Sequence, residues 1–161
     1  MESGVLPQFL RPVLSSLFLL GILAAVCQAP QTPREPDAQE RGPLAERRIR
    51  ERLGLWQRRL NLQDWTISVV MSHPADLRER TLGNIHWDAG KKTAVIRVLD
   101  ASVYQLPFQA TVQDMEFTVV HELIHLELAS LPRSEASRSD EEFAINHLAK
   151  ALLQLDSKEQ P

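Results

Sequence analysis

His121-Glu122-Leu123-Ile124-His125 is the stretch on which the reading of this chain turns. On a helix, residues four apart lie on one face, so the two imidazoles can address a single metal ion. Two ligands do not hold a catalytic zinc, which takes three protein ligands and leaves one position to water. The Glu beside the first His is then placed to take that water's proton. Around the motif, Phe117, Val120, Ile124, Leu128 and Leu131 recur at helical spacing, and Val119, Leu123 and Leu126 broaden the stripe, which predicts a well-buried helix. Two histidines and a glutamate inside such a helix are costly without partners, which favours metal ligation over histidines that merely fill the core.

Downstream, Pro132 ends the helix and a second amphipathic helix is expected from about Asp140 to Leu155, with Ile145, Leu148, Leu152 and Leu155 inward. The third ligand must come from this region. Glu127 faces away from the shared face of His121 and His125, and His147 falls on the polar side of the last helix. Glu141 sits in the middle of the apolar stripe; Glu142 sits at its border, beside Asn146 one turn later, where a cleft-lining ligand belongs. Ser139-Asp140-Glu141-Glu142 is also a capping box, which would occupy Glu142 if the helix began at Ser139. Glu142 is the expected ligand, with Glu141 and His147 as alternatives.

Upstream, Asp64–Met71, Thr81–Trp87 and Thr93–Leu99 read as strands, the last two joined by the turn residues Asp88-Ala89-Gly90-Lys91-Lys92. A small, mainly antiparallel sheet follows, one edge of which can face the metal and pair with an extended peptide. Thr111–Asp114 resembles a helix start, with acidic residues suited to a first turn. Leu44–Leu60 places Leu44, Ile49, Leu53, Trp56 and Leu60 at helical intervals among six arginines, and Gly54 is a point where that helix can bend or end. The arginines read as a solvated face, and no aromatic interleaving supports nucleic-acid binding.

Composition sets the outer bounds. With 161 residues, 43% hydrophobic and 24% charged, the chain reads as one small domain plus tails, and a formal net charge of -3 gives no global case for nucleic acid or an anionic membrane. A single cysteine, Cys27, excludes an intrachain disulfide and a cysteine-based zinc site. Residues 13–26 are almost entirely apolar, with Arg11 before and small residues after, so residues 1–29 are expected to be a signal peptide or an N-terminal membrane anchor. Residues 30–43, rich in proline and charge, are expected to be a disordered linker, and residues 44–157 to form the domain. The fold class expected is α+β: an N-terminal helix, a sheet of about three strands, the H-E-x-x-H helix and a ligand-bearing C-terminal helix.

HELIH followed by EEFAINHLAKALL resembles the gluzincin metallopeptidases, with the two-helix core of the minigluzincin type, and is similar to the ImmA/IrrE-like domain. The resemblance covers about Trp65 to Leu153. It implies a zincin-like domain that binds Zn2+ and hydrolyses the peptide bonds of a protein or peptide substrate, with Glu122 as base and His121, His125 and Glu142 as ligands. Ile145 stands where alanine is usual in that family, and an export segment departs from the cytosolic role of ImmA-type proteins. SprT-type proteases share H-E-x-x-H but take a third histidine, for which only His147 is available downstream. Residues that could stabilise an oxyanion are His86, His147 and Tyr104. The competing functional expectation is a non-catalytic zinc-binding or membrane-tethered interaction domain. An exported or membrane-anchored location follows from residues 13–26.

Overall fold

The computed structural model describes residues 34–78, 81–132 and 137–159. The expected signal or anchor segment, residues 13–26 included, lies outside the described residues. Within them no helix is long and apolar enough to cross a membrane.

Helix α1 (Ala38–Arg59) opens the domain. It starts inside the stretch expected to be a linker, because Asp37 and Glu40 form a capping box. The Asp37 Oδ1 accepts from the Gln39 and Glu40 amides, each at 3.0 Å, and Glu40 accepts from the Asp37 amide at 3.2 Å. Pro43 lies inside this helix. Gly54 does not end it; Asn61 does, in the left-handed conformation (φ 56) just past the last turn. Ala45, Ile49, Leu53 and Trp56 form its buried face.

Three strands follow, β1 (Thr66–Ser72), β2 (Gly83–Asp88) and β3 (Thr93–Leu99), in the order β1-β3-β2. The hairpin is as expected: β2 and β3 pair antiparallel, Gly83 opposite Val98. β1 pairs parallel with β3, Thr66 opposite Thr93, so the sheet is mixed. The link from Ser72 to Gly83 is long enough to carry the chain past β3 before the hairpin starts, and this makes a parallel neighbour possible. The central strand buries Ala94, Ile96 and Val98 on one face.

Helix α2 (Phe108–Glu127) lies against α1, β2, β3 and the last helix, which is why it is buried nearly all round, with Met115, Val119, Val120 and Leu123 fully enclosed. It begins one turn before Thr111. Its first amide, on Phe108, donates to the Glu35 Oε1 at 2.7 Å, and Glu35 is held by Arg41 Nη1 at 2.6 Å. Arg41 Nη2 also donates to the Leu106 carbonyl at 2.7 Å and to Thr111 Oγ1 at 3.1 Å. A side chain from ahead of α1 thus caps the helix that carries the motif.

Helix α3 (Arg138–Glu159) packs on α2 through Ile145 and Ala149. At its far end, Asp156 receives Arg52 and, at 2.6 Å, Arg59 Nη1. Arg52 Nε donates to Glu116 of α2 at 2.5 Å, and Trp56 Nε1 donates to the same carboxylate oxygen at 2.6 Å. Two of the six arginines expected on a solvated face therefore turn inward and lock three helices together. The paired guanidiniums hold the Asp156 carboxyl below its usual range against the burial that would raise it.

Candidate metal centre

His121 and His125 sit one turn apart on α2, and α3 brings Glu142 across from them. His125 Nε2 lies 3.0 Å from His121 Nε2. One Glu142 oxygen is 3.2 Å from His121 Nε2 and the other 3.3 Å from His125 Nε2. Donor atoms bound to one tetrahedral zinc at its usual bond lengths stand about 3.3 Å apart, so this set fits such an ion with little rearrangement. The three residues can hold a metal ion on geometry alone.

Polar side chains of α3 also stand beside both imidazoles. Glu141 Oε1 lies 3.5 Å from His125 Nδ1, the nitrogen turned away from Glu142. Asn146, one turn beyond Glu142, hydrogen-bonds to His121. Carboxylates and amides fix ring orientation in metal-ligating histidines when they bond the outer ring nitrogen, and His121 Nδ1 makes no hydrogen bond among the described residues. Burial, reinforced by the neighbouring His125, lowers the pKa of His121 despite Glu142 and Asn146, which favours the neutral, ligating form. Helix α3 starts at Arg138, so Ser139 lies in its first turn instead of capping it, and the competing capping box does not claim Glu142.

Glu122, between the histidines, is 7% exposed. Its carboxyl is pushed up to about 7, first by burial and then by the Glu142 carboxylate. It lines a cleft of about 660 Å³ together with His121, His125 and Glu142. The opposite wall is β2, an edge strand. That strand can lie so close to α2 only because residue 83 is glycine. A Cβ there would fall 2.4 Å from Thr118 Cγ2 and 2.6 Å from the Arg97 carbonyl oxygen.

The other sequence-derived candidates separate cleanly. His86 lines the cleft on β2, its Nδ1 3.3 Å from Arg97 Nη1. Tyr104 does not reach the cleft; burial first and then the Asp114 carboxylate raise its pKa. His147 is exposed, its ring 4.1 Å from that of Phe143 and its Nδ1 2.8 Å from the Phe143 carbonyl. Glu127 is likewise outside the cleft. Sequence reasoning misses Arg138 and Arg78, both on the cleft wall. Arg138 is within its reach, standing four residues before Glu142 on the same helical face; Arg78, beyond the end of β1, carries no signal. No family model, curated protein or solved structure matches the chain.

Proposed function

We propose that the protein is a zinc-dependent metallopeptidase that hydrolyses peptide bonds, with His121, His125 and Glu142 as ligands and Glu122 as the catalytic base. The observation that carries this reading is the convergence of three metal-ligand residues, each offering a donor atom within 4.8 Å of the others, beside a buried carboxyl poised near neutrality. Zinc bound there supplies Lewis acidity, polarising a peptide carbonyl and making water acidic near neutral pH.

The chain supplies the rest. A base with its pKa near the working pH both accepts a proton during attack and returns it to the leaving amine, and Glu122 has that poise. The cleft wall fixes the substrate backbone. Leu99 N donates to the Leu82 carbonyl, so the hydrogen-bonded pairs of the hairpin fall at Leu82, Asn84 and His86. The intervening Gly83 and Ile85 turn their N–H and C=O groups away from β3, toward the side where an extended peptide can add as a further strand. Arg78 and Arg138, both on the cleft wall, are the side-chain cations available to a developing oxyanion, whereas the His86 ring lies against Arg97 on the sheet face opposite the buried side chains of β3. The apolar composition of residues 13–26 supports an exported or membrane-anchored location, with a protein or peptide as substrate.

Metal analysis and peptide cleavage by the purified chain test the proposal together. Wild type is expected to carry about one zinc per chain, Glu141→Ala to retain it and Glu142→Ala to lose it. Glu122→Gln is expected to keep the metal while cleavage of a mixed peptide library falls at least about a thousandfold. Undiminished turnover in Glu122→Gln would remove its role as base, and a wild-type chain that takes up no zinc on reconstitution would end the metallopeptidase reading.

A further inference from the structure

Helix α3 has a second apolar face that no other element among the described residues covers. Ile145, Ala149 and Asp156 point into the fold, whereas Ala144, Leu148, Ala151 and Leu155 are all exposed, Leu148 by 51% and Leu155 by 59%. At 100° per residue these four fall on a narrow stripe about a third of a turn away from the buried face. Their 4-3-4 spacing is that of the a and d positions of a coiled-coil seam.

The stripe is complementary to itself when reversed. Laid antiparallel on a second copy about an axis between Ala149 and Lys150, Ala144 meets Leu155 and Leu148 meets Ala151. Each layer then combines one small and one large side chain, and the alternation lets two helices approach closely without voids. Such a two-fold arrangement is isologous, so each contact occurs twice. Charge follows the same reversal: Asp140 flanks the stripe at one end and Lys158 at the other, on the same side of the helix, so each Asp140 faces Lys158 of the second copy. A parallel pairing would set each seam residue against its own copy and lose the small-to-large match.

We infer that the chain forms a two-fold homodimer through antiparallel pairing of α3 along Ala144, Leu148, Ala151 and Leu155. A seam of four layers stands at the small end of specific interfaces, below about 1,200 Å², so the dimer is expected to exchange with monomer. It leaves His121, His125 and Glu142 uncovered, because Glu142 lies on the other side of the helix, and it is independent of the metallopeptidase reading.

Sedimentation velocity of the full chain over about a hundredfold range of concentration tests it. Wild type is expected to pass from monomer to dimer. Leu148→Glu, an exposed position where helix content should be unchanged by circular dichroism, is expected to weaken dimerisation at least about thirtyfold. Val70→Glu, at an exposed apolar residue of β1, should leave it intact. Asp140→Lys is expected to weaken it about threefold, and Asp140→Lys combined with Lys158→Asp to restore it. A chain that stays monomeric throughout overturns the inference. So does an assembly indifferent to Leu148→Glu, the behaviour expected if the apolar stretch near the N-terminus were responsible.

Discussion

Helix α3 ends in a carboxylate cross-link at both extremities, and the two are built on opposite electrostatic plans. Asp156 and Glu142 are fourteen residues apart, about 21 Å along the helix axis. Asp156 meets two guanidiniums, and Glu116 of α2 completes a set in which acids and bases alternate. Glu142 meets two imidazoles, one of them pushed toward neutrality, with the carboxylates of Glu122 and Glu141 close by. The first cluster is balanced by residues the chain already has. The second gathers lone pairs and negative charge, a donor set suited to a cation. Polarity inside a small fold therefore has two distinct uses here, and the sign of the partners tells them apart.

The contrast breaks most visibly at the balanced end. Asp156→Asn leaves two arginines facing an amide, and unfolding in denaturant is expected to show a loss of about 3 kcal/mol, the same with or without added metal. Were the loss to vanish on adding zinc, the two ends would not be separate devices. At the other end the dependence is reversed. Glu142→Ala is expected to leave the stability of the metal-free chain nearly unchanged, since it removes a carboxylate that repels Glu122, but to weaken zinc binding at least about a hundredfold in a chelator competition. Equal affinity in the variant would return Glu141 to consideration.

Acid sharpens the comparison at a smaller scale. The folded chain holds the Glu122 proton up to about 7, whereas an unfolded one releases it near 4.5, so between those values the folded state binds more protons. Glu122 accordingly adds stability to the metal-free chain as pH falls through that window, by at most about 1.4 kcal/mol per pH unit, while the lowered pKa of His121 opposes it below about 6.5, so the difference in slope between wild type and Glu122→Gln reads the Glu122 contribution. Asp156 has the opposite sign. Its folded pKa lies below 3.8, so its contribution is present above that value and disappears only as pH falls beneath it.

Much of this architecture is legible in the sequence itself. The periodicity around H-E-x-x-H places α2, the turn residues after Trp87 place the hairpin, and the wheel position of Glu142 puts it at the rim of the cleft. What escapes a local reading is partnership between distant segments. Nothing local distinguishes Arg52 and Arg59 from their solvated neighbours; the acids that turn them inward lie 64 and 97 residues away. The parallel pairing of β1 is likewise set by where a long link lets the strand go, not by the strand's own residues. The start of α1 is different, because its capping box is present in the sequence as Asp37 and Glu40 and is masked there by proline content. Tyr104 and His147 qualify as oxyanion donors by residue type alone, and type does not say which way a side chain points.

The Glu35 cap carries a structural consequence. The carboxylate that closes the first turn of α2 sits only three residues before α1, so the point where the N-terminal segment joins the domain is also the point where the motif-bearing helix begins. That hydrogen bond, on Phe108, stands thirteen residues and fewer than four helical turns from His121. Trimming the chain back to Leu44 would therefore shorten α1 and at the same time take the cap, and its Arg41 partner, from the start of α2.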